Sequence, residues 1–378
     1  MDGERVGACG LSIDKSQDGL RRLSHRGDNR RVKTLRLLVD PDRLETPYAA
    51  QALEWAAVIL RAGGLVALPT ETVYGLGANA LDEGAVARIF AAKQRPAWDP
   101  VIVHIASLEM LEGLVDEVPE AARRLMKAFW PGPLTLLMKR TAAVPDAVTA
   151  GRALVGVRMP AHPVALELIR RAGIPVAAPS ANLFGHTSPT TAAHVLEDLD
   201  GRIDAVVDAG PTGLGVESTV LDCTQSPMVI YRPGSVTAQQ IQAVAGAVVE
   251  IEAGELAQTP REAMPSPGVG LRHYAPRARL VLVEGEPGLL GKRLAEAVLH
   301  WPGERVGVLA PAEVMVDIEG AVLVPWGRWS APEEMARTLY AGLRALDAEG
   351  CTVILCPLPP TEGIGTAIRD RLIKAEYR

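Results

Sequence analysis

Cysteine and aromatic residues are scarce in this 378-residue sequence: four cysteines, three phenylalanines and 4% aromatics in all. The cysteines (Cys9, Cys223, Cys351, Cys356) are scattered, and their closest pair is C-x4-C. Zinc knuckles use tighter spacing and a second pair, so no zinc site is expected and buried thiols in a reducing compartment are. No apolar run approaches the roughly 18 residues of a membrane-spanning helix. The N-terminus is charged and lacks the apolar centre of a signal peptide, so a cytoplasmic location is expected. Phosphate loops are missing too: there is no G-x-x-x-x-G-K-[ST], no G-x-G-x-x-G between a strand and a helix, and "VYGLGANA" has too few glycines at the wrong spacing. No G-x-S-x-G elbow supports a Ser-His-Asp reading. Net positive charge is also lacking. With 39 Lys and Arg against 45 Asp and Glu the charge is −6 and the pI about 5.7, which counts against nucleic acid held by charge alone as the main task. Any handling of phosphates must rest on side-chain cations and hydroxyls.

Hydrophobic residues make up 48% and charged residues 22%, so a sizeable core is expected, in a chain long enough for two domains. Residues 1–34, with "SHRGDNRRVK", read as a basic, disordered arm without apolar period. From residue 35 strands and helices alternate to about 245: "YAAQALEWAAVILRAGG" is a helix closed by glycines, "LVALPTE" a strand, "DEGAVARIFAAK" a helix, "VIVHI" a strand, "LEMLEGLV" and "EAARRLMKAF" helical. "LTLLM", "IPVAA", "AVVDAG", "STVLD" and "MVIY" read as further strands. This is an α/β pattern, a twisted open sheet with flanking helices. Residues 246–278 are dense in Pro and Gly and read as a linker. Residues 279–378 resume the alternation as a small Rossmann-like α/β unit.

Polar residues gather where strands end. In "LPTETVYGLG" (68–77) Thr70, Glu71, Thr72 and Tyr74 follow a strand, where open α/β sheets place ligands; a threonine-capped turn has the same composition. "KQRPAWDP" sets Lys93 and Arg95 two apart past a helix end. Such cations often complement the helix dipole, yet Pro96 bars Arg95 from α geometry and can aim both into one cleft. His104 lies within an apolar strand, where its ring needs a partner. Arg158 in "VGVRMPAHP" suits either an ion pair or a bidentate grip on a carboxylate or phosphate. "AAPSANLFGHTSPTT" supplies Ser180, Asn182, Ser188 and Thr190, short donors of little bulk, and equally a turn and helix cap. Ser218 in "GVESTVLD", Arg232 in "YRPGSVT", and His273 and Tyr274 of the linker complete the set; lids come from such linkers. Cations and hydroxyls recurring at strand ends suit electrostatic stabilisation of phosphoryl chemistry without a covalent enzyme intermediate.

Together "PTETVYGLG", "KQRP" with "DP" and "VHI", "FWPGPLTL", "VGVRMPAHP", "PSAN…SPT", "DAGPTGLGVESTV", "RPG" and "SPGVGLRHYAP" resemble the YrdC-like family of threonylcarbamoyl-AMP synthases in its long two-domain form. They run in order from about residue 35 to the end of the linker; the C-terminal unit matches less sharply. The resemblance implies a YrdC-like sheet and a nucleotidyltransferase that converts L-threonine, bicarbonate or CO2, and ATP, with Mg2+ as cofactor, into threonylcarbamoyl-AMP and pyrophosphate. The product would feed a tRNA threonylcarbamoyl transferase complex, tRNA being met only indirectly and no membrane being involved. Carried over position by position, Thr72, His104, Arg158, Ser180 and Ser218 fall on the threonine side. Lys93, Arg95, Asp99, Asn182, Thr190, Arg232 and Tyr274 fall on the ATP side, with Lys93 and Arg95 as the catalytic cations. A carbamate attacking an α-phosphate needs cancellation of repulsion more than a general base, so fixed cations should dominate. Asp99 stands where the family commonly has asparagine, and would pair with Lys93 or Arg95 or help hold the metal.

Two rival readings are weaker. An RNA-binding module of the same fold is disfavoured by the acidic total and the shortage of aromatic–basic clusters. Carbamoyl transfer in hydrogenase maturation brings cysteine-rich zinc modules that four scattered cysteines cannot build.

Overall fold

The computed structural model describes residues 33–252, 264–267, 273–314 and 318–376. The basic arm read from the sequence thus lies outside the described residues except for Lys33 and Thr34. Thr34 is buried, with its hydroxyl donating to the Ile203 carbonyl at 3.1 Å.

The first part of the chain runs β1 (Leu35–Leu38), α1 (Pro47–Arg61), β2 (Val66–Leu68), β3 (Gly75–Asn79), α2 (Glu83–Lys93), β4 (Val103–His104), α3 (Glu120–Phe129), β5 (Leu134–Lys139), α4 (Asp146–Thr149), β6 (Leu154–Arg158), α5 (Pro163–Ala172), β7 (Val176–Ala177), α6 (Ala192–Leu199), β8 (Ala205–Asp208), β9 (Thr219–Asp222), β10 (Met228–Arg232), α7 (Ala238–Ala245) and β11 (Val249–Ile251). These strands form one mixed sheet in the order β1-β8-β2-β3-β7-β4-β6-β5-β9-β10-β11. Helix α1 shows how local signals place an element. Thr46 caps it by accepting from the Ala49 N–H, Pro47 supplies a preset first turn, and Gly63 leaves it at φ +76°. Its buried stripe of Ala52, Leu53, Ala56, Ala57 and Leu60 joins one apolar cluster with Val164, Leu168 and Ile169 of α5. Each fully buried leucine there contributes about 1.5–3 kcal/mol.

Three local features depart from the sequence reading. "LEMLEGLV" forms only a 3-10 turn at Glu109–Leu111, which has no side-chain cap. "GLGAN" is a strand, β3, squeezed so tightly that a Cβ on Gly77 would come within 2.9 Å of the Leu68 and Val176 side chains on its neighbours. β11 pairs in parallel with β10, Val229 opposite Glu250, so the large sheet continues into the stretch read as linker.

The C-terminal unit comprises β12 (Arg279–Val283), α8 (Pro287–Val298), β13 (Val306–Ala310), β14 (Ala321–Pro325), α9 (Pro332–Ala348), β15 (Val353–Pro357) and α10 (Gly365–Ala375). Its four strands are all parallel, in the order β12-β15-β13-β14. Strand alternation sends Val306, Val308, Val353 and Leu355 to the α8 side, and Leu309, Ile354 and Cys356 to the side of α9 and α10. That second core takes in Val73 and Val216 of the large unit and Tyr274 of the linker. Cys223, Cys351 and Cys356 are buried free thiols; Cys9 lies outside the described residues.

Candidate active site

β4 and β6 are parallel neighbours with His104 in register with Arg158. β5 lies antiparallel on the other side of β6, Leu136 opposite Val157, so one residue on, Thr135 comes opposite Arg158. Residues in register share a face. The sheet therefore carries a row of three polar side chains, His104, Arg158 and Thr135, all buried, where the same face otherwise bears Ile102, Leu137 and Val220. Thr135 Oγ1 meets Ser218 Oγ at 2.8 Å, and Arg232 at the end of β10 donates from Nη2 to Ser218 Oγ and from Nε to the Ser218 carbonyl, both at 3.0 Å. Loops close the rim: Thr70 to Gly75 after β2, Ala178 to Ser180 after β7, and Pro267, His273 and Tyr274 from the linker.

The cleft so formed has a volume of about 60 Å3, several water molecules at roughly 10–15 Å3 each. Its cations are held by the protein itself. Arg158 donates from Nε to the Gly132 carbonyl at 3.2 Å and from Nη1 to Thr72 Oγ1 at 3.0 Å, and Nη2 lies 2.6 Å from Glu71 Oε1. Arg95 Nη2 donates to the Pro100 carbonyl at 2.6 Å and pairs with Asp99 Oδ2 at 3.0 Å. Preset donors of this kind cost little reorganisation when an anion arrives.

Residues 58–234 match the family model described as telomere recombination, and residues 236–376 match the one described as threonylcarbamoyl-AMP synthase, C-terminal domain. The threonylcarbamoyl-AMP synthase of Bacillus subtilis is 46% identical over 348 residues, spanning 91% of this chain and 98% of that one. The chain belongs to the threonylcarbamoyl-AMP synthase family. The synthase of Schizosaccharomyces pombe is 38% identical over 360 residues, 86% of this chain and 88% of the relative. A crystal structure of Pyrococcus abyssi Sua5 complexed with L-threonine superposes with a TM-score of 0.83 at 42% identity, covering 90% of this chain and 97% of that one.

Against that family frame the site residues read from the sequence divide in two. Thr72, Arg95, His104, Arg158, Ser180, Ser218, Arg232 and Tyr274 line the cleft, whereas Lys93, Asp99, Asn182 and Thr190 do not. Lys93 and Arg95 part company at the end of α2. Lys93 lies one turn beyond Ile89 on the buried face, and its Nζ donates to the carbonyls of Ser180 (2.5 Å) and Asn182 (2.6 Å). It thus clasps the "SAN" loop and, at 1% exposure, presents no free face to a ligand. Gln94, at φ +52°, makes the turn that redirects Arg95, so the left-handed cap rather than Pro96 separates the two. Asp99 stands behind Arg95. Asn182 donates to the Leu183 and His186 carbonyls, both at 2.8 Å, and Thr190 sits 3.3 Å from His194 Nδ1.

Burial dominates the electrostatics in this family member. It holds Lys93 well below the lysine range, helped by Arg95 and opposed by Asp99. Burial lowers His104 to about 3, reinforced by Arg158, and His273 to about 3, reinforced by Arg95. Both rings are therefore neutral near pH 7, as hydrogen-bonding or packing groups. Burial also raises Tyr274 to about 12 and Asp99 above the usual carboxylate range, the latter against the pull of Arg95.

Sequence reasoning set Glu71 among the polar residues at a strand end, without foreseeing its pairing with Arg158, and gave no role to Thr135 or Glu217, nor to the C-terminal residues Tyr340 and Arg371. Glu217 lines the cleft, while Tyr340 and Arg371 bond to it from α9 and α10. The signal for Arg371 is local: it falls on the apolar stripe of α10, with Ala367, Ile368, Leu372 and Ala375, where an arginine needs a buried partner.

Proposed function

We infer that this protein is a threonylcarbamoyl-AMP synthase acting through the Arg95–Arg158–Arg232 cleft. The observation that carries the reading is likeness along nearly the whole chain to the Bacillus subtilis synthase. The L-threonine held by the Pyrococcus abyssi protein supports threonine as the amino-acid substrate. In the reaction the threonine amine adds to CO2, losing a proton to give a carbamate. A carbamate oxygen then bonds to the α-phosphorus of ATP as the bond to the β-phosphate oxygen breaks, and pyrophosphate leaves. Both partners are anions, so the barrier is electrostatic, and three arginines around one small cleft are the means to lower it.

Roles follow from position. His104, Arg158, Thr135 and Ser218, on the sheet face, suit the threonine end, with Thr72 and Ser180 at the rim. Arg95, Arg232 and Tyr274 suit the nucleotide. Lys93, Asp99, Asn182 and Thr190 act from behind the wall, by fixing the loops that carry Ser180 and Arg95. A volume of about 60 Å3 suits a threonine-sized group; a triphosphate requires Pro267, His273 and Tyr274 to shift, which gives the linker its role as a cover. Among the described residues no group of three or more His, Cys, Asp or Glu is arranged to hold a metal. Mg2+ would therefore enter with ATP on its phosphates, as such ions commonly do. The adenylate is a reactive intermediate to be passed to a tRNA threonylcarbamoyl transferase complex in the cytoplasm. No helix among the described residues is long and apolar enough to cross a membrane.

The test is pyrophosphate release from MgATP, with the adenylate detected by mass. Release that requires both L-threonine and bicarbonate is expected. Release indifferent to threonine would overturn the reading.

A further inference from the structure

Arg371 of α10 is fully buried where the small unit meets the cleft. Its Nε donates to Glu217 Oε2 at 2.7 Å, its Nη2 to the Pro233 carbonyl at 2.9 Å and its Nη1 to Asp370 Oδ2 at 2.5 Å. Its guanidinium carbon also lies 5.2 Å from the centroid of the Tyr274 ring, within cation–π range. That ring also stacks with Tyr340 of α9, centroids 6.0 Å apart, and lies 5.5 Å from the His273 ring of its own linker. Tyr274 has φ +64°, a left-handed backbone that a tyrosine keeps only where its surroundings impose it. Two residues of the small unit thus grip the linker residue that closes the cleft.

Glu217 is the anomaly in that cleft. It is a carboxylate lining a site otherwise built from Arg95, Arg158 and Arg232. The charged groups facing it are Arg371 and Arg232, and the polar ones are Ser188 Oγ (2.5 Å), the Tyr340 hydroxyl (3.1 Å), Tyr274 and the neutral His273 ring. Asp370 and Lys374 lie beside Arg371. Burial pushes Glu217 up, but Arg371 and Arg232 outweigh it and hold the group below the usual carboxylate range, so it is ionised near pH 7. Left unpaired, that charge would repel every anion the proposed reaction brings: the amino-acid carboxylate, the carbamate and the triphosphate.

We propose that Arg371 is a positioning residue through which the C-terminal unit completes the cleft: it neutralises Glu217 and holds Tyr274 across the opening. Arg371 does not line the cleft itself. The small unit is thereby a functional part of the nucleotide site, although none of its residues lines it. This inference rests on the synthase reading.

Four full-length proteins test it in the pyrophosphate assay: wild type, Arg371→Met, Arg371→Lys, and Arg371→Met combined with Glu217→Gln. Arg371→Met should lower kcat/KM on the order of 100-fold, the scale of a displaced site, mainly through KM for ATP. Its activity relative to wild type should climb as the pH is lowered and Glu217 takes up a proton. The double variant, lacking both charges, should regain about tenfold or more, as coupled buried groups do. A folded double variant no more active than Arg371→Met overturns the proposal, as does a pH-independent ratio. Should Arg371→Met not fold, Arg371→Lys decides. A KM for ATP close to the wild-type value supports neutralisation by charge, and a rise as large as that expected for methionine overturns it. Wild type that releases no threonine-dependent pyrophosphate fails the synthase reading instead.

Discussion

The large and small sheets treat buried charge in opposite ways. The large unit buries Lys93, Arg95, Asp99, His104, Arg158, Glu217, Asp222 and Arg232, and all of these but Asp222, which accepts from Thr224 and Gln225 at the end of β9, border or brace one cleft. Among the described residues of 279–376, the buried charged side chains are Arg344 and Arg371, and both reach out of their own unit into the other. Arg344 donates from Nη1 to Glu197 Oε2 and from Nη2 to Asp198 Oδ2, both at 2.9 Å, and to the Thr187 carbonyl at 2.7 Å. Arg371 reaches Glu217 and Pro233. Ionised groups buried at a cleft stay costly unless paired, and in the large unit that cost is met mainly around the one cleft. In the small unit the same cost is met only where the two units meet. The apolar remainder of the small unit is support.

If that contrast is right, the largest effect comes from breaking the row on the sheet face. Arg158→Ala removes the partner of Glu71, Thr72 and the Gly132 carbonyl together, and synthesis should fall on the order of 100- to 1000-fold, the range for losing a preset electrostatic donor. The pyrophosphate assay checks this, with melting curves to confirm folding; activity within a few fold of wild type would place the anion elsewhere. Next comes the division between the two interface arginines. The hydrogen-bond partners of Arg344, Glu197, Asp198 and Thr187, do not line the cleft, so Arg344→Met should destabilise by roughly 3 kcal/mol, as breaking a buried pair does, yet leave kcat/KM of the folded protein near wild type. Denaturant melts and kinetics on one preparation separate the two quantities. An Arg344→Met enzyme as impaired in turnover as Arg371→Met would dissolve the distinction.

Much of the large unit was legible because its signals are local. Thr46 and Pro47 start α1, Gly63 ends it, and polar residues crowd the ends of β2, β6 and β10. The alternation after residue 279 likewise led to an α/β unit, and its strands are parallel. What stayed hidden depends on partners far along the chain. Glu217 and Arg371 are 154 residues apart, and nothing beside Glu217 in "GVESTV" says that its counter-charge comes from the last helix. The direction of Lys93 was half visible: its spacing from Ile89 puts it on the buried face, but the carbonyls it clasps belong to a loop almost ninety residues on. The linker misled by composition. Its "VEI" is too short to show a period, and becomes a strand because β10 offers an open edge.

Smaller effects sharpen the comparison through pH. His104 and His273 are held near 3 in the folded protein against about 6.5 in an unfolded chain. The unfolded state therefore binds more protons between those values, and stability should fall as pH drops through that window. His273→Gln should make the slope of stability against pH shallower by roughly one proton, measured by denaturant melts; an unchanged slope would mean that the ring is charged or open to water.

The smallest effect belongs to Asp99, one shell behind the cleft. Its Oδ2 lies 3.0 Å from Arg95 Nη2 and 3.8 Å from His273 Nε2. Burial raises its folded pKa above the unfolded value, so here the sign reverses: the folded state binds more protons, and ionising Asp99 costs stability as pH rises past the unfolded value of about 3.9. Asp99→Asn removes that cost, so the variant should melt slightly higher than wild type at pH 7, with the difference closing toward pH 4. Because Arg95 keeps the Pro100 carbonyl and loses a competing carboxylate, KM for ATP should fall a little while kcat holds. A large loss of kcat would instead put the carboxylate itself to work on the metal-bound triphosphate, and would move Asp99 from the supporting wall into the cleft.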